Sequence, residues 1–519
     1  MVDEHEDPLS ASALRVRRCR LLTFTGAGAP SVEDARRAVT LAAAADLASW
    51  QHALALAELA RAAMWADDPR AGEPARRAVS IARAAGRPGP LSYALTASAM
   101  VAVQEADYPA ASMLSREAGQ LALKGRDWMG AASAVVWESN AGTPPQSEAT
   151  ADLLRQRRHE LSTADAPHAF PAILGALEAQ ARLVIGDWQG CTNLLRVTLG
   201  SDLGTFVDVN SRVVAALLDA WQGRPTHARM HLDRAAELLT FPGNHAGLSL
   251  DTTRAVVALA AGLPAEALRA ALDGARAAGA APAMCEWLIP LAARALADLA
   301  EADVYAARAG GGSSARRATA DIDALVEEFP RIVTEAGLEQ DVQSRAMQAW
   351  YDAEVGRARR SEGMGRRWRD LAGTSAEANL PWVEVYAWWR AAEAHLARSR
   401  DQRRRGIDAW RRAGELADRL QATGIKDELE TLARIARVPT HPDAEASKDA
   451  AASLPGVTPR EREILAELVA GSTYAEIAAT LVISEKTVSS HVSNLLRKTG
   501  TGNRVELARL ATRVGLDVR

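Results

Sequence analysis

Between Ser484 and Thr499 the chain reads SEKTVSSHVSNLLRKT. Val488, Val492, Leu495 and Leu496 recur every three or four residues there, which predicts a helix from about Glu485 to Thr499 with these four facing inward. Its outward positions are Lys486, Thr487, Ser489, Ser490, Ser493, Asn494 and Arg497, with Lys498 beside them. These side chains donate and accept hydrogen bonds, and three of them carry positive charge. Such a row suits two tasks: holding phosphates, and reading the polar edges of bases.

The elements around this row are written in local signals. Thr458-Pro459-Arg460-Glu461 reads as a capping box with proline in the first helical turn. Ile464, Leu465, Leu468 and Val469 form one face of the helix that follows, which ends at Gly471. Thr473-Tyr474-Ala475-Glu476 is a second box, opening a short helix with Ile477, Ala478 and Leu481 inward. Val482-Ile483 turns the chain, and Ser484 caps the longer helix. A fourth helix is predicted from about Asn503 to Val514. Two short helices, a tight turn and a longer helix make a helix-turn-helix unit, whose later helix enters the major groove of DNA. From Ile483 to Arg513 the cations are Lys486, Arg497, Lys498, Arg504, Arg509 and Arg513, against Glu485 and Glu506. That local excess of four positive charges lies in a chain of net charge −4, so attraction to phosphate is expected to be local.

These residues resemble a known family. LPGVTPREREIL from Leu454, EIAATLVISEKTV from Glu476, His491, and Asn503-Arg504 together are similar to the LuxR/FixJ-type DNA-binding domain, over some sixty residues. The resemblance implies base-reading positions at Ser489, Ser490 and Ser493. It implies phosphate contacts at Thr473, Lys486, Thr487, and Arg497 or Lys498. Ser489 departs from the pattern, because the family usually has lysine there; one short hydroxyl replaces a cation. The resemblance also implies dimerisation on DNA through the final helix. His491 fits a histidine slot that either packs within the domain or reads a base.

The preceding body reads as all-α. In Glu73–Ala85, Ala75, Ala78, Val79, Ile81, Ala82 and Ala85 gather toward one face, while Arg76, Arg77 and Arg83 point elsewhere. Turns recur at Asp68-Pro69, Tyr108-Pro109, Pro144-Pro145, Asp187-Trp188, Arg224-Pro225 and Leu263-Pro264. Pro69 to Pro264 spans 195 residues in five steps, or 39 per step. Gly186, Gly223 and Gly262 precede three of these turns and predict left-handed helix caps. Two helices per 39 residues predict an α-solenoid of tetratricopeptide-like units, with a non-repetitive helical bundle as the alternative. The register breaks at Gly310–Ser314, and two more units are expected, turning near Ser361–Gly363 and Ser399–Asp401. LPW from Leu380, AWWRAAEAHL from Ala387 and WRRAGELA from Trp410 resemble the repeat region of large ATP-binding LuxR-type regulators, the maltose-regulon-activator type. Trp388, Trp389 and Trp410 equally suit the core of any helical repeat.

Those large relatives carry a phosphate loop. The nearest segment here, the strand-like run Leu21–Thr25 entering the turn Gly26–Pro30, lacks the required lysine and Ser/Thr. No ATPase, no other enzyme activity and no cofactor are expected. The segment reads as an amino-terminal cap on the first repeat or as a relic of a nucleotide-binding domain. The ten histidines are scattered, which argues against a metal site, and acidic residues interleave with arginine along solvated helix faces. Cys19, Cys191 and Cys285 fit neither a disulfide framework nor a zinc site. No membrane span or signal peptide is predicted, since Asp3, Glu4, Glu6 and Asp7 are wrong for a signal's positive start. A cytoplasmic protein is expected.

The expected organisation is an amino-terminal cap or arm (1–30), an α-helical repeat domain (31–438), a linker (439–454) and a helix-turn-helix domain (455–519). The expected function is a DNA-binding transcription regulator whose repeats sense a small-molecule effector or a partner protein. The alternative is an interaction scaffold tethered to DNA. The expected partners are double-stranded DNA and, on DNA, a second copy of the chain, with no membrane.

Overall fold

The protein is described by a computed structural model. The described residues are 7–24, 28–66, 68–105, 107–142, 147–200, 203–238, 250–277, 287–308, 314–330, 342–396, 400–436, 438 and 457–513. Pro144-Pro145, Cys285, Gly310–Ser313, Ser399 and the expected linker lie outside them. Among the described residues there is no strand. The run Leu21–Phe24 is therefore not strand-like. It is the last turn of α1 (Pro8–Phe24), which packs against α2 (Gly28–Ala45). A mostly apolar run of four residues fits either element by itself, and its neighbours decide.

The helices continue as α3 (Trp50–Trp65), a 3₁₀ turn at Pro69–Ala71, α4 (Gly72–Ala84), α5 (Pro88–Gln104), α6 (Tyr108–Lys124), α7 (Trp128–Asn140), α8 (Glu148–Thr163), α9 (Ala169–Val184), α10 (Trp188–Leu199), α11 (Thr205–Trp221), α12 (Pro225–Leu238), α13 (Leu250–Ala260) and α14 (Pro264–Ala277). After these come α15 (Leu288–Arg308), α16 (Ser314–Glu328), α17 (Val342–Ala358), α18 (Met364–Glu377), α19 (Pro381–Leu396), α20 (Arg400–Leu420) and α21 (Thr423–Ala436). The chain divides into two compact units, Met1–Leu218 with Arg229–Leu250, and Asp219–Ala228 with Asp251–Arg519.

From α1 to α10 each helix packs on the next, and the odd helices also stack in series: α1 on α3, α3 on α5, α5 on α7, α7 on α9. That is solenoid stacking, in which a helix pair buries its apolar face only against its neighbours. The odd helices from α3 start at Trp50, Pro88, Trp128, Ala169 and Thr205. The turns seen in the sequence therefore open the second helix of each pair. The turns opening the first were missed, although Asp127-Trp128 repeats the pattern of Asp187-Trp188. Asp107, Asp127 and Asp187 are all N-caps that accept from the backbone N–H three residues on. Gly186, Gly223 and Gly262 adopt φ of 86°, 77° and 71°, as their place before a new helix requires. The contacts are largely alanine: Ala53, Ala57, Ala78, Ala82, Ala94 and Ala97 surround Leu56. Side chains this small let helix axes approach closely.

The second unit has a different core. Trp350, Trp382 and Tyr386 are buried, and Trp382 stacks on both Trp221 (5.1 Å between centroids) and Tyr386 (5.7 Å). Glu354, fully buried, accepts from the Tyr386 hydroxyl (2.6 Å), the Trp350 indole (3.2 Å) and Arg357 (2.7 Å). Burial works against the Arg357 cation, but Glu354, Glu301 and Asp298 outweigh it and hold its pKa well above normal. Arg390 joins the network through the Tyr386 hydroxyl (3.0 Å), Asp298 (3.4 Å) and Glu393 (3.1 Å).

Candidate nucleic-acid interface

The last four helices form a small module: α22 (Pro459–Val469), α23 (Tyr474–Leu481), α24 (Glu485–Thr499) and α25 (Arg504–Arg513). Its core is Ile464, Leu465, Leu468, Val469, Ile477, Val488, Val492 and Leu495, each at most 1 % exposed. Leu481 and Leu496 are half-buried at the edge. Both capping boxes close. The Thr458 hydroxyl accepts from the Glu461 N–H while Glu461 reaches back, and Thr473 and Glu476 repeat the arrangement. Val482 makes the turn with φ 54°, a left-handed conformation that β-branched residues rarely adopt. Its side chain is 88 % exposed.

This scaffold presents α24. Lys486, Ser489, Ser490, Ser493, Asn494 and Arg497 are exposed along it. The Ser490 hydroxyl donates back to the Lys486 carbonyl (3.0 Å), a bond an incoming acceptor can replace. Thr487 is half-buried, with its hydroxyl 2.8 Å from that of Ser484. Thr473 donates its one hydroxyl proton to Glu476 and accepts from the Glu476 N–H, so this hydroxyl reaches a phosphate only by giving up the bond to the carboxylate. His491 is half-buried on the same helix.

The structure separates the two cations at the end of α24. Arg497 is exposed, whereas the Lys498 ammonium lies 2.6 Å from a Glu461 carboxylate oxygen. Burial pushes the Glu461 carboxyl up, but Lys498 and the Thr458 hydroxyl and N–H outweigh it and set it below its ordinary range. The charge excess counted from sequence is thus partly spent internally. Lys498 is paired with Glu461, and Arg509 with Glu393. Both pairs are long-range, and no spacing rule finds them. Arg460, which sequence reasoning did not single out, donates to the Leu481 carbonyl and so ties α22 to the turn before α24.

Among the described residues no group of His, Cys, Asp and Glu is arranged to hold a metal ion, and no helix is long and apolar enough to cross a membrane. Cys19 and Cys191 are buried, and burial pushes the Cys191 thiol far up.

Residues 456–511 match the family profile of the bacterial regulatory proteins of the luxR family. Among curated proteins, an uncharacterised transcriptional regulatory protein of Bacillus subtilis, YhcZ, is 46 % identical over 61 residues, which are 12 % of this chain and 28 % of that protein. The spore germination protein GerE of the same species is 48 % identical over 62 residues, covering 11 % of this chain and 84 % of GerE. The Escherichia coli transcriptional regulatory protein UhpA is 49 % identical over 53 residues, covering 10 % of this chain and 27 % of UhpA. The chain thus spans little more than a quarter of the length of YhcZ and UhpA and most of GerE. The helical body lies outside all three matches.

Proposed function

Through its carboxyl-terminal module this chain belongs to the luxR family of bacterial regulatory proteins, and we propose that it is a sequence-specific DNA-binding transcription regulator whose helical body senses a ligand or partner protein. One observation carries the reading. α24 exposes six polar or cationic side chains in a row, on a module whose own core and caps are complete without them. That row sits where a helix-turn-helix protein places its groove-reading helix. Ser489, Ser490, Ser493 and Asn494 then meet base edges, while Thr473, Lys486, Thr487 and Arg497 hold phosphates. On DNA the module acts as a homodimer through α25, since reading two half-sites with one short helix each requires two copies.

Regulation is assigned to the solenoid, in the tetratricopeptide manner of stacked helix pairs that offer a surface to a partner. We assign the protein no enzyme activity, and a cytoplasmic location suits a chain that meets DNA. The alternative, a protein-interaction scaffold tethered to DNA, is favoured by the exposed apolar side chains of the first unit: Leu47, Met113, Met129 and Val197 are each more than 60 % exposed. A cavity of about 20 Å³ beside Ser115, Glu138 and Arg157 has room for a water molecule and not for a metabolite.

Genome-wide footprinting with the full-length protein tests the DNA reading, returning discrete sites and their half-site spacing. Uniform, sequence-independent protection overturns it. Thermal shift of the full chain against metabolites, set beside co-purification of a protein, separates sensor from scaffold.

A further inference from the structure

The last helix of the module is not free. Arg509 on α25 is 8 % exposed, its guanidinium paired with the Glu393 carboxylate of α19 and 5.4 Å from the ring centre of Trp389. Trp389 lies one helical turn before Glu393, and Arg390 stands 4.4 Å from the same ring. The other oxygen of Glu393 accepts from Arg390 at 3.1 Å. One carboxylate therefore serves two guanidinium groups, one from the body and one from the module. A second approach lies nearby. α25 also packs on α21, and Gly471, between α22 and α23, lies against the backbone of that helix. A Cβ on Gly471 would stand 2.7 Å from the Arg434 carbonyl oxygen, so glycine is what permits the contact. Gly471 also needs its φ of 89°, which closes α22.

An arginine withdrawn from water between an indole and a carboxylate has the make-up of a specific contact. We propose that the helical body holds the DNA-binding module in a docked, closed state through Arg509, and that release of this latch is how the body controls the module. The closed state leaves the α24 row bare and covers α25. Docking and pairing with a second copy then compete for one helix, an inference that rests on the DNA-binding, dimeric reading above. The latch need only be modest, because a covalent tether keeps the module at high effective concentration. Its carboxylate is shared with Arg390, and through Arg390 with Asp298 and Tyr386 in the core of the second unit. Any event that moves Arg390 therefore changes the charge that Arg509 sees.

Hydrogen–deuterium exchange of the full-length chain tests the latch, comparing wild type with Arg509→Met, Glu393→Gln and the double variant. Met keeps an apolar stem beside Trp389, and exchange in α5 to α7 reports that the rest of the protein is folded. The expected result is faster exchange in both 504–513 and 423–436. Affinity for sheared genomic duplex should rise roughly fivefold to tenfold, about what one charged contact controls. The double variant should go no further than either single one, because both remove the same pair. Unchanged exchange in the two segments, or additive single effects, overturns the latch. Faster exchange without tighter DNA binding overturns its role in control. If neither wild type nor variants bind DNA, the DNA-binding reading fails, and exchange alone judges the docked contact.

Discussion

The Lys498 ammonium on the groove-reading helix lies 2.6 Å from the carboxylate of Glu461, the residue that closes the capping box at the start of the module. A residue assigned to phosphate binding by resemblance thus has a structural partner 37 positions away. The pair ties the end of α24 to the start of α22, and it separates two cations that adjacent numbering makes look equivalent.

That separation yields a contrast in salt dependence. Lys486→Ala with Arg497→Ala should weaken DNA binding and reduce the slope of log K against log salt by about 1.8, roughly 0.9 for each lost phosphate contact. Lys498→Ala should leave the slope nearly unchanged and lower the melting temperature of the module instead. Titrating duplex binding at several salt concentrations checks both. Equal slope changes for Arg497→Ala and Lys498→Ala would refute the assignment.

Ser489 offers a gain-of-function counterpart. It is exposed on α24, where relatives of this type usually carry lysine. Ser489→Lys should tighten binding and steepen the salt slope by about 0.9. A looser complex would count against Ser489 facing the DNA, and a tighter one with an unaltered slope would place the new ammonium on a base edge and not on a phosphate.

Glu461 makes the module sensitive to acid. Its pKa is lowered in the folded state, against a reference value of 4.5. A group with a depressed folded pKa contributes stability above its unfolded pKa and loses it as pH falls through the folded one. The module should therefore weaken below about pH 4.5, and Glu461→Gln should flatten that dependence while costing about 1 kcal/mol at neutral pH through the cap. Acid titration followed by the exchange protection of α22 measures it; a Gln variant with an unchanged acid profile would count against this carboxylate.

In the body, Glu354→Ala should be severe. It leaves the buried Arg357 with Asp298 and Glu301 but without its nearest carboxylate, and strips partners from Trp350 and Tyr386. Breaking a buried charge pair costs about 3–5 kcal/mol. Denaturant unfolding followed by tryptophan fluorescence reads this directly, since Trp350 and Trp382 lie in the same cluster. A midpoint within error of wild type would contradict the network.

How much was legible depended on range. The two capping boxes, the Ser484 cap and the inward stripe of α24 were readable because each needs residues only three or four apart. The 39-residue step was readable because proline and glycine are needed where one helix ends and the next begins. Half the turns escaped because no single residue type marks them: Ser49, Arg87, Asp127 and His168 stand at the N-caps of α3, α5, α7 and α9. Leu21–Phe24 looked like a strand because Leu-Leu-Thr-Phe is too short to show a period; in the structure it is the last turn of α1, which packs against α2. The tryptophans near 382–389 were legible as core residues or as a family mark, but not as neighbours of Trp221, more than 150 positions earlier.

By itself the sequence determined that the chain is helical, that its body repeats, and that its last sixty residues form a capped helix-turn-helix with a polar outer face. Hydrogen bonds between near neighbours and the 3.6-residue period of the helix decide those features, and both are written along the chain. The tertiary structure alone decided which charges are spent. Arg497 faces solvent while Lys498 meets Glu461 and Arg509 meets Glu393 over a gap of more than a hundred residues. An ion pair depends on distance in space, and spacing along the chain sets that distance only within one helix.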